Sequence, residues 1–381
     1  MANNQAFKVK NGISATRYLL SNGTETAGSE GYYLSGAVYD SVSFSVSSQT
    51  ATPQDIFFSS DGTVMYICGT DPGADGIFQY NLSTAWDVST AAYASKSLNS
   101  NSQDDTARGF DFKSDGTKVY ISGATNNRIY QYSLTTAFDV STGAYDSVFV
   151  AGNDGDIAGI RFKTDGTKMY VVGNSSNIVT EFTLSTAWDL STASVNTTFS
   201  VNSQDVTPTG LDFKPDGTTM YLCGENSDTI YEYTLTTAWD ISTATYSGNS
   251  FSVASQHSAI RGMKFKADGA KFYTTGQASD TVWQYSTVSY TQTLDLSTGT
   301  TFAFTPSGAT TVSFTNPPAS GLACAFTVEI NGDGSAITWP ASVKWHEATT
   351  PTALASKEVY VFITTDGGTT YYGKKAAEGV E

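Results

Sequence analysis

Four ionisable residues, Asp111, Arg161, Asp212 and Lys264, follow one another at intervals of 50, 51 and 52 residues. Each lies between two apolar residues, as in Phe110-Asp111-Phe112 and Leu211-Asp212-Phe213, so on a strand each charge leaves the face that its neighbours occupy. One repeat earlier the same place holds Phe57. Acid and base alternate from Asp111 to Lys264. If equivalent strands face one another, these charges can pair across the seam in a partly dry site. Inter-blade salt bridges are one reading. A polar channel holding an ion or a sugar is the other.

A second polar set lies in the segments that enter each repeat: Gln49, then Gln103, Asp104 and Asp105, then Asn153, Asp154 and Asp156, then Gln204 and Asp205, then Gln256 and His257. Amide and carboxylate groups clustered on one rim suit the hydroxyls of a carbohydrate, although any solvated rim is polar. Catalytic constellations are scarce. The two histidines, His257 and His346, fall in different predicted domains, so neither Ser-His-Asp nor Cys-His spacing can be built. Paired-carboxylate chemistry has many candidate aspartates, but most occupy turn positions that explain them. The oxygen-rich segments around Asp71 and Asp75 and around Asn331 and Asp333 do not match a calcium loop and read as hairpin turns. The sequence therefore predicts no catalytic residue, no metal and no cofactor.

The elements that position these residues come from a repeat. Asp-Gly recurs at Asp61, Asp115, Asp165, Asp216 and Asp268, with spacings of 54, 50, 51 and 52. Around each, two alternating apolar runs flank the Asp-Gly turn and a third run follows a Gly/Asn/Asp turn, which makes a three-stranded meander. A connector of the form LSTAWDVSTAAY then leads into a fourth strand. Its aromatic is Trp86, Phe138, Trp188 or Trp239, and the next residue, Asp87, Asp139, Asp189 or Asp240, suits an Asx turn. The aromatic reads mainly as a plug over that turn, with a ligand-stacking platform as the competing reading. Four connectors serve five meanders, and the missing fourth strand stands at the front, at Gly36–Val46. An N-terminal strand that completes the last blade closes a ring and removes its open edge. The expected fold is all-β: a five-bladed β-propeller closed by its N-terminal strand, followed by a small C-terminal β-sandwich.

Bulk properties narrow the partners. Asp and Glu outnumber Lys and Arg by 36 to 20, a formal charge of −16, and no basic cluster offsets this, so nucleic acid is not an expected partner. Cys68 and Cys223 occupy the same place in two repeats, and with Cys324 they form no disulfide framework. The opening MANNQAFKVKNG has no apolar core of a signal peptide, and no run of about twenty apolar residues predicts membrane insertion.

After Tyr290 the repeat stops. NPPASGLACAFTVEI, ITWPASVKW and FITTDGGTTYYG resemble a C-terminal module of bacteriophage tail-fibre and other virion proteins, and FKVKNGISATRYLLSNGT resembles the N-termini of phage fibres. The propeller repeat itself is similar to one found in marine phage and bacterial proteins, some called lactonase-like on fold alone, and this chain shows no catalytic residues that match such an enzyme. The resemblance implies a virion structural protein, made in the host cytoplasm, with three parts: residues 1–35 attaching to other virion proteins, a propeller at 36–290 and a sandwich at 291–381. It further implies a homotrimer, a short tail fibre or receptor-binding appendage whose propeller touches bacterial surface glycan, and no enzyme activity. A decoration protein of tail or capsid without receptor binding is the alternative. A glycan-degrading virion enzyme is the third.

Overall fold

The computed structural model describes residues 25–27, 32, 34, 37–70, 75–287, 290–306, 310–332, 337–346, 350–351 and 356–379. Most of the expected attachment segment, together with Asp71 and Asp333, lies outside them. The chain divides into two compact units, one of them Gly31–Thr287.

That unit is a five-bladed β-propeller of four-stranded antiparallel sheets. The innermost strands are Pro53–Phe58, Ala107–Phe112, Ile157–Phe162, Pro208–Phe213 and Ile260–Phe265. Each is six residues long and almost wholly buried, because it packs against its own sheet and against the innermost strands on either side. Blades one to four are continuous in sequence. The fifth is Ile260–Phe265, Lys271–Gly276 and Thr281–Ser286, completed by Val38–Ser45 from the N-terminal side. Val38 pairs with Ser286 and Ser45 with Thr281, so the edge of blade five is hydrogen-bonded rather than open.

The closure extends further than the strand. Tyr32 takes the place of the missing fifth connector aromatic: its N–H donates to the Gly269 carbonyl at 2.9 Å, as the Trp86 N–H donates to Gly62 at 3.0 Å. Leu34 is fully buried, as Val88 is in the connector of blade one. The N-terminal segment thus supplies a connector as well as a strand.

Packing between blades is aromatic. The last residue of each innermost strand packs at a tilt on a tyrosine of the preceding blade: Phe58 on Tyr273 at 4.4 Å, Phe162 on Tyr120 at 4.4 Å, Phe213 on Tyr170 at 4.5 Å. The tyrosine hydroxyl then donates to the carbonyl of the next connector aromatic. Tyr66 reaches Phe138, Tyr170 reaches Trp239 and Tyr273 reaches Trp86, each at 2.7 Å. Every seam therefore buries a large ring without stranding its hydroxyl.

At the axis the blades approach so closely that a side chain is excluded from four of them. A Cβ on Gly109 would lie 2.7 Å from the Cα of Gly159, and one on Gly262 would lie 2.6 Å from the Cα of Asp55. Glycine is required there by contact, not by dihedral angle.

The second unit contains a four-stranded sheet, formed by Glu25–Ala27, Tyr290–Asp295, Thr310–Thr315 and Ile337–Thr338, and a five-stranded sheet that includes Cys324–Asn331, Lys357–Thr364 and Tyr371–Glu378. Leu294 and Val312 of the first sheet share one apolar cluster with Phe326, Val328, Tyr360 and Phe362 of the second.

Candidate active site

The ends of the innermost strands and the connector aromatics enclose a cavity of about 320 Å³ at one end of the propeller axis. Its wall is a ring of five aromatics, Tyr32, Trp86, Phe138, Trp188 and Trp239. Each covers the glycine of an Asp-Gly turn and packs on the Phe that ends the innermost strand, with centroids 5.1–5.6 Å apart. Their backbones all lie in the left-handed region, from φ 61° at Phe138 to φ 83° at Tyr32. Bulky residues avoid that region unless the surroundings hold them there, and here the turn glycine and the neighbouring tyrosine do so. Asp87, Asp139, Asp189 and Asp240 fix the chain directly after the aromatic by accepting from the N–H two residues on, at 3.0–3.1 Å. The aromatics are thus plugs over their turns, and their remaining surface lines the cavity.

The floor holds the charges read from the repeat. Asp111, Arg161, Asp212 and Lys264 all line the cavity, and Phe57 completes the circle between Lys264 and Asp111. Lys264 Nζ donates to Asp212 Oδ1 at 2.7 Å and lies 5.4 Å from the centroid of Phe57. Arg161 is buried and donates from both terminal nitrogens to Asp55, at 2.8 and 3.0 Å, and to the carbonyls of Phe110, Ile160 and Met263. Burial works against its charge, and Asp55 and Asp212 more than offset that, so the guanidinium is held above its usual range. Asp55, buried beneath the floor, is the charged residue that the repeat pattern alone did not single out. It stands where the other blades have Gly109, Gly159, Gly210 and Gly262, and this break in the pattern was its signal.

Asp111 differs from the other acids. Its two oxygens accept from the N–H groups of Phe112 at 2.9 Å and Phe162 at 2.7 Å, and it makes no ion pair among the described residues. Burial raises its carboxyl to about 6, against the pull of Arg161 and Lys264. A buried carboxylate with a lifted proton affinity, across Phe57 from an ammonium group and at the floor of a cavity, has the properties of a general base.

The polar rim residues precede the innermost strands, each of whose six residues spans about 20 Å between that rim and the cavity end. Most of their polar atoms are committed to the loops. Gln49, Gln103, Gln204 and Gln256 accept from Tyr80, Tyr132, Tyr233 and Tyr285 at 3.0–3.4 Å. Asp104, Asp154 and Asp205 accept backbone N–H groups from the turn across their blade. His257 bonds Thr274 at 2.7 Å, and burial pushes its imidazole down to about 4. Asn153 reaches Thr180, Asp156 accepts from Asn174, and Asp105 accepts from Thr106. A separate hollow of about 460 Å³ in the second unit is lined by Leu296, Asn316, Pro317 and Cys324 among others, with no carboxylate, histidine or lysine. Among the described residues no group of three or more His, Cys, Asp and Glu is placed to hold a metal.

A family model described as "Lactonase, 7-bladed beta-propeller" matches residues 46–238, just over half of the chain. No curated protein matches the sequence. Similar solved structures include a functionally unknown protein from Desulfotomaculum acetoxidans (14% identity, 60% of this chain and 66% of that one, TM-score 0.41). Others are a putative 6-phosphogluconolactonase from Bacteroides uniformis (12%, 61% and 80%, 0.41) and the periplasmic gluconolactonase of Pseudomonas aeruginosa (14%, 61% and 66%, 0.39). The chain spans slightly less than two thirds of the first of these. The family match overturns the bacteriophage reading: tail fibre or virion protein, receptor-binding or decorating role, location in the virion and absence of enzyme activity. The physical reason is that the phage resemblance lay in strand-and-turn patterns at the two ends, which specify β-structure, whereas the match covers the repeats that build the cavity. The family is described by seven blades and this chain closes with five, but the matched segment builds most of that ring: the chain belongs to the lactonase family of β-propellers.

Proposed function

We propose that this protein is a hydrolase that opens a lactone in the axial cavity. The observation that carries this reading is Asp111: a buried carboxylate with no ion pair among the described residues, raised to about 6, on the cavity floor with Lys264. Family membership supports the reaction class.

The chemistry asks for a base, a counter-charge and a dry pocket. Asp111 takes a proton from water as the water oxygen bonds to the lactone carbonyl carbon. The carbonyl electrons move onto oxygen, where Lys264 Nζ stabilises the developing negative charge. As the tetrahedral species collapses, the ring C–O bond breaks and the leaving alkoxide takes the proton back from Asp111. The product is an open-chain hydroxy acid, whose carboxyl proton passes to solvent. Arg161 stays with Asp55 throughout and sets the field in which Asp111 titrates.

Proton release in a pH-stat tests the reading directly. The wild-type protein should accelerate lactone opening above the spontaneous rate, and Asp111→Asn, which keeps the shape of the side chain, should return it to the background. Equal rates in the two proteins would remove Asp111 from the reaction.

A further inference from the structure

On the basis of the hydrolase reading above, we infer that the substrate is a lactone carrying an alkyl or acyl substituent and few hydroxyl groups, and not a sugar lactone. The inference rests on how polarity is distributed with depth in the cavity.

The floor is polar, but its polar atoms are already assigned. Asp212 is taken up by Lys264 and by the Phe265 N–H, and the terminal nitrogens of Arg161 by Asp55 and the four carbonyls of Ile56, Phe110, Ile160 and Met263, while its Nε is sealed from the cavity 3.6 Å from Asp212. What remains is Asp111 and the free side of Lys264, which the reacting carbonyl and its water occupy. Above the floor comes a belt of rings: Phe57, Trp86, Phe138, Trp188, Trp239 and Tyr32. Their carbonyls are not open acceptors either, since Tyr66, Tyr170 and Tyr273 donate to Phe138, Trp239 and Trp86. The remaining polar lining is Ser59, Ser60, Lys113, Ser114 and Thr164, of which Ser59 donates to Asp61 and Lys113 pairs with Asp115, so the hydroxyls of Ser60, Ser114 and Thr164 are left for a ligand.

A polyhydroxylated lactone seated with its carbonyl at Asp111 and Lys264 would press its ring hydroxyls against this belt, whose indole N–H groups can donate to a hydroxyl oxygen but cannot accept the hydroxyl proton. Each hydroxyl desolvated without a partner costs about tenfold in affinity or more. An alkyl chain in the same belt instead removes apolar surface from water on both sides. Phe57 strengthens the discrimination, because it puts an apolar ring between the base and the ammonium, where a fifth polar residue would have offered a hydroxyl partner. A cavity of about 320 Å³ accommodates a small lactone ring with a chain of several carbons.

The test compares δ-decalactone with D-glucono-δ-lactone on the full chain, by pH-stat with spontaneous hydrolysis subtracted. The expected result is a kcat/KM at least about a hundredfold higher for decalactone. A preference for gluconolactone would overturn this inference and leave the hydrolase reading intact. Binding separates the remaining outcome. Tryptophan fluorescence of Asp111→Asn, with Trp86, Trp188 and Trp239 in the wall, should change saturably on titration with decalactone and not with gluconolactone. If neither lactone is opened, decalactone binding without turnover would uphold the apolar-ligand inference and sink the hydrolase reading, while no binding would sink both.

Discussion

Asp55 of blade one reaches across the propeller axis to Arg161 of blade three, with two hydrogen bonds of 2.8 and 3.0 Å between fully buried groups. Asp55 also accepts from the Ile56 and Phe110 N–H groups, so one carboxylate ties three blades together. Replacing it with the glycine of the other blades would restore the repeat and yet leave the Arg161 charge without its bidentate partner. Asp55→Gly should therefore destabilise the protein by about 3–5 kcal/mol, read as a lower urea midpoint. A change under about 1 kcal/mol would mean that Asp212 alone suffices for Arg161.

The proton affinity of Asp111 sets the pH dependence of turnover. Below about 6 the carboxyl holds its proton and cannot accept one from water, and above it the carboxylate is free to do so. Log kcat/KM for lactone opening should rise with unit slope up to pH about 6 and then level. A flat profile from pH 5 to 8 would exclude Asp111 as the base.

Phe57 keeps the base unpaired. Phe57→Lys would place an ammonium next to Asp111 and favour its ionised form. The acid limb should move below 6, and kcat/KM on the plateau should drop by a factor of about ten or more, because a less basic carboxylate takes a proton less readily. An unchanged limb would show that Phe57 does not shape the environment of Asp111.

The seam between blades five and one is held by the Tyr273 hydroxyl on the Trp86 carbonyl at 2.7 Å. Tyr273→Phe keeps the ring contact with Phe58 and strands the carbonyl. A loss of about 1–2 kcal/mol in urea unfolding is expected, with the Trp86 fluorescence altered. No loss would indicate that solvent replaces the hydroxyl.

His257 gives the fold an acid-sensitive point remote from the cavity. Its imidazole is depressed to about 4 by burial, against about 6.5 in an unfolded chain. Between those values the unfolded chain binds the proton and the folded one does not. Stability is therefore full above pH 6.5 and declines as pH falls toward 4, by about 3 kcal/mol in all. His257→Gln should flatten the thermal midpoint over that window, and an unchanged slope would assign the acid sensitivity elsewhere.

The repeat, the blade count and the displaced closing strand were legible in the sequence because each is a periodic, local property. A strand alternates, an Asp-Gly turn reverses it, and five copies with one offset strand admit a closed ring. The register of Asp111, Arg161, Asp212 and Lys264 was legible for the same reason. Tyr32 was not recognised as the fifth connector aromatic, since one Tyr in GYYLSGAVY matches AWDVSTAAY only once the ring is closed in space. Which end of the propeller holds the cavity was likewise undetermined: the variable polar loops drew attention to one rim, whereas the close approach of five aromatic connectors shaped the other. Sequence alone fixed which residues share a position around the axis. Only the tertiary structure decided that Asp55 takes Arg161, that Lys264 takes Asp212 and that Asp111 is left over, because charge pairing depends on distances across the ring that no single repeat contains.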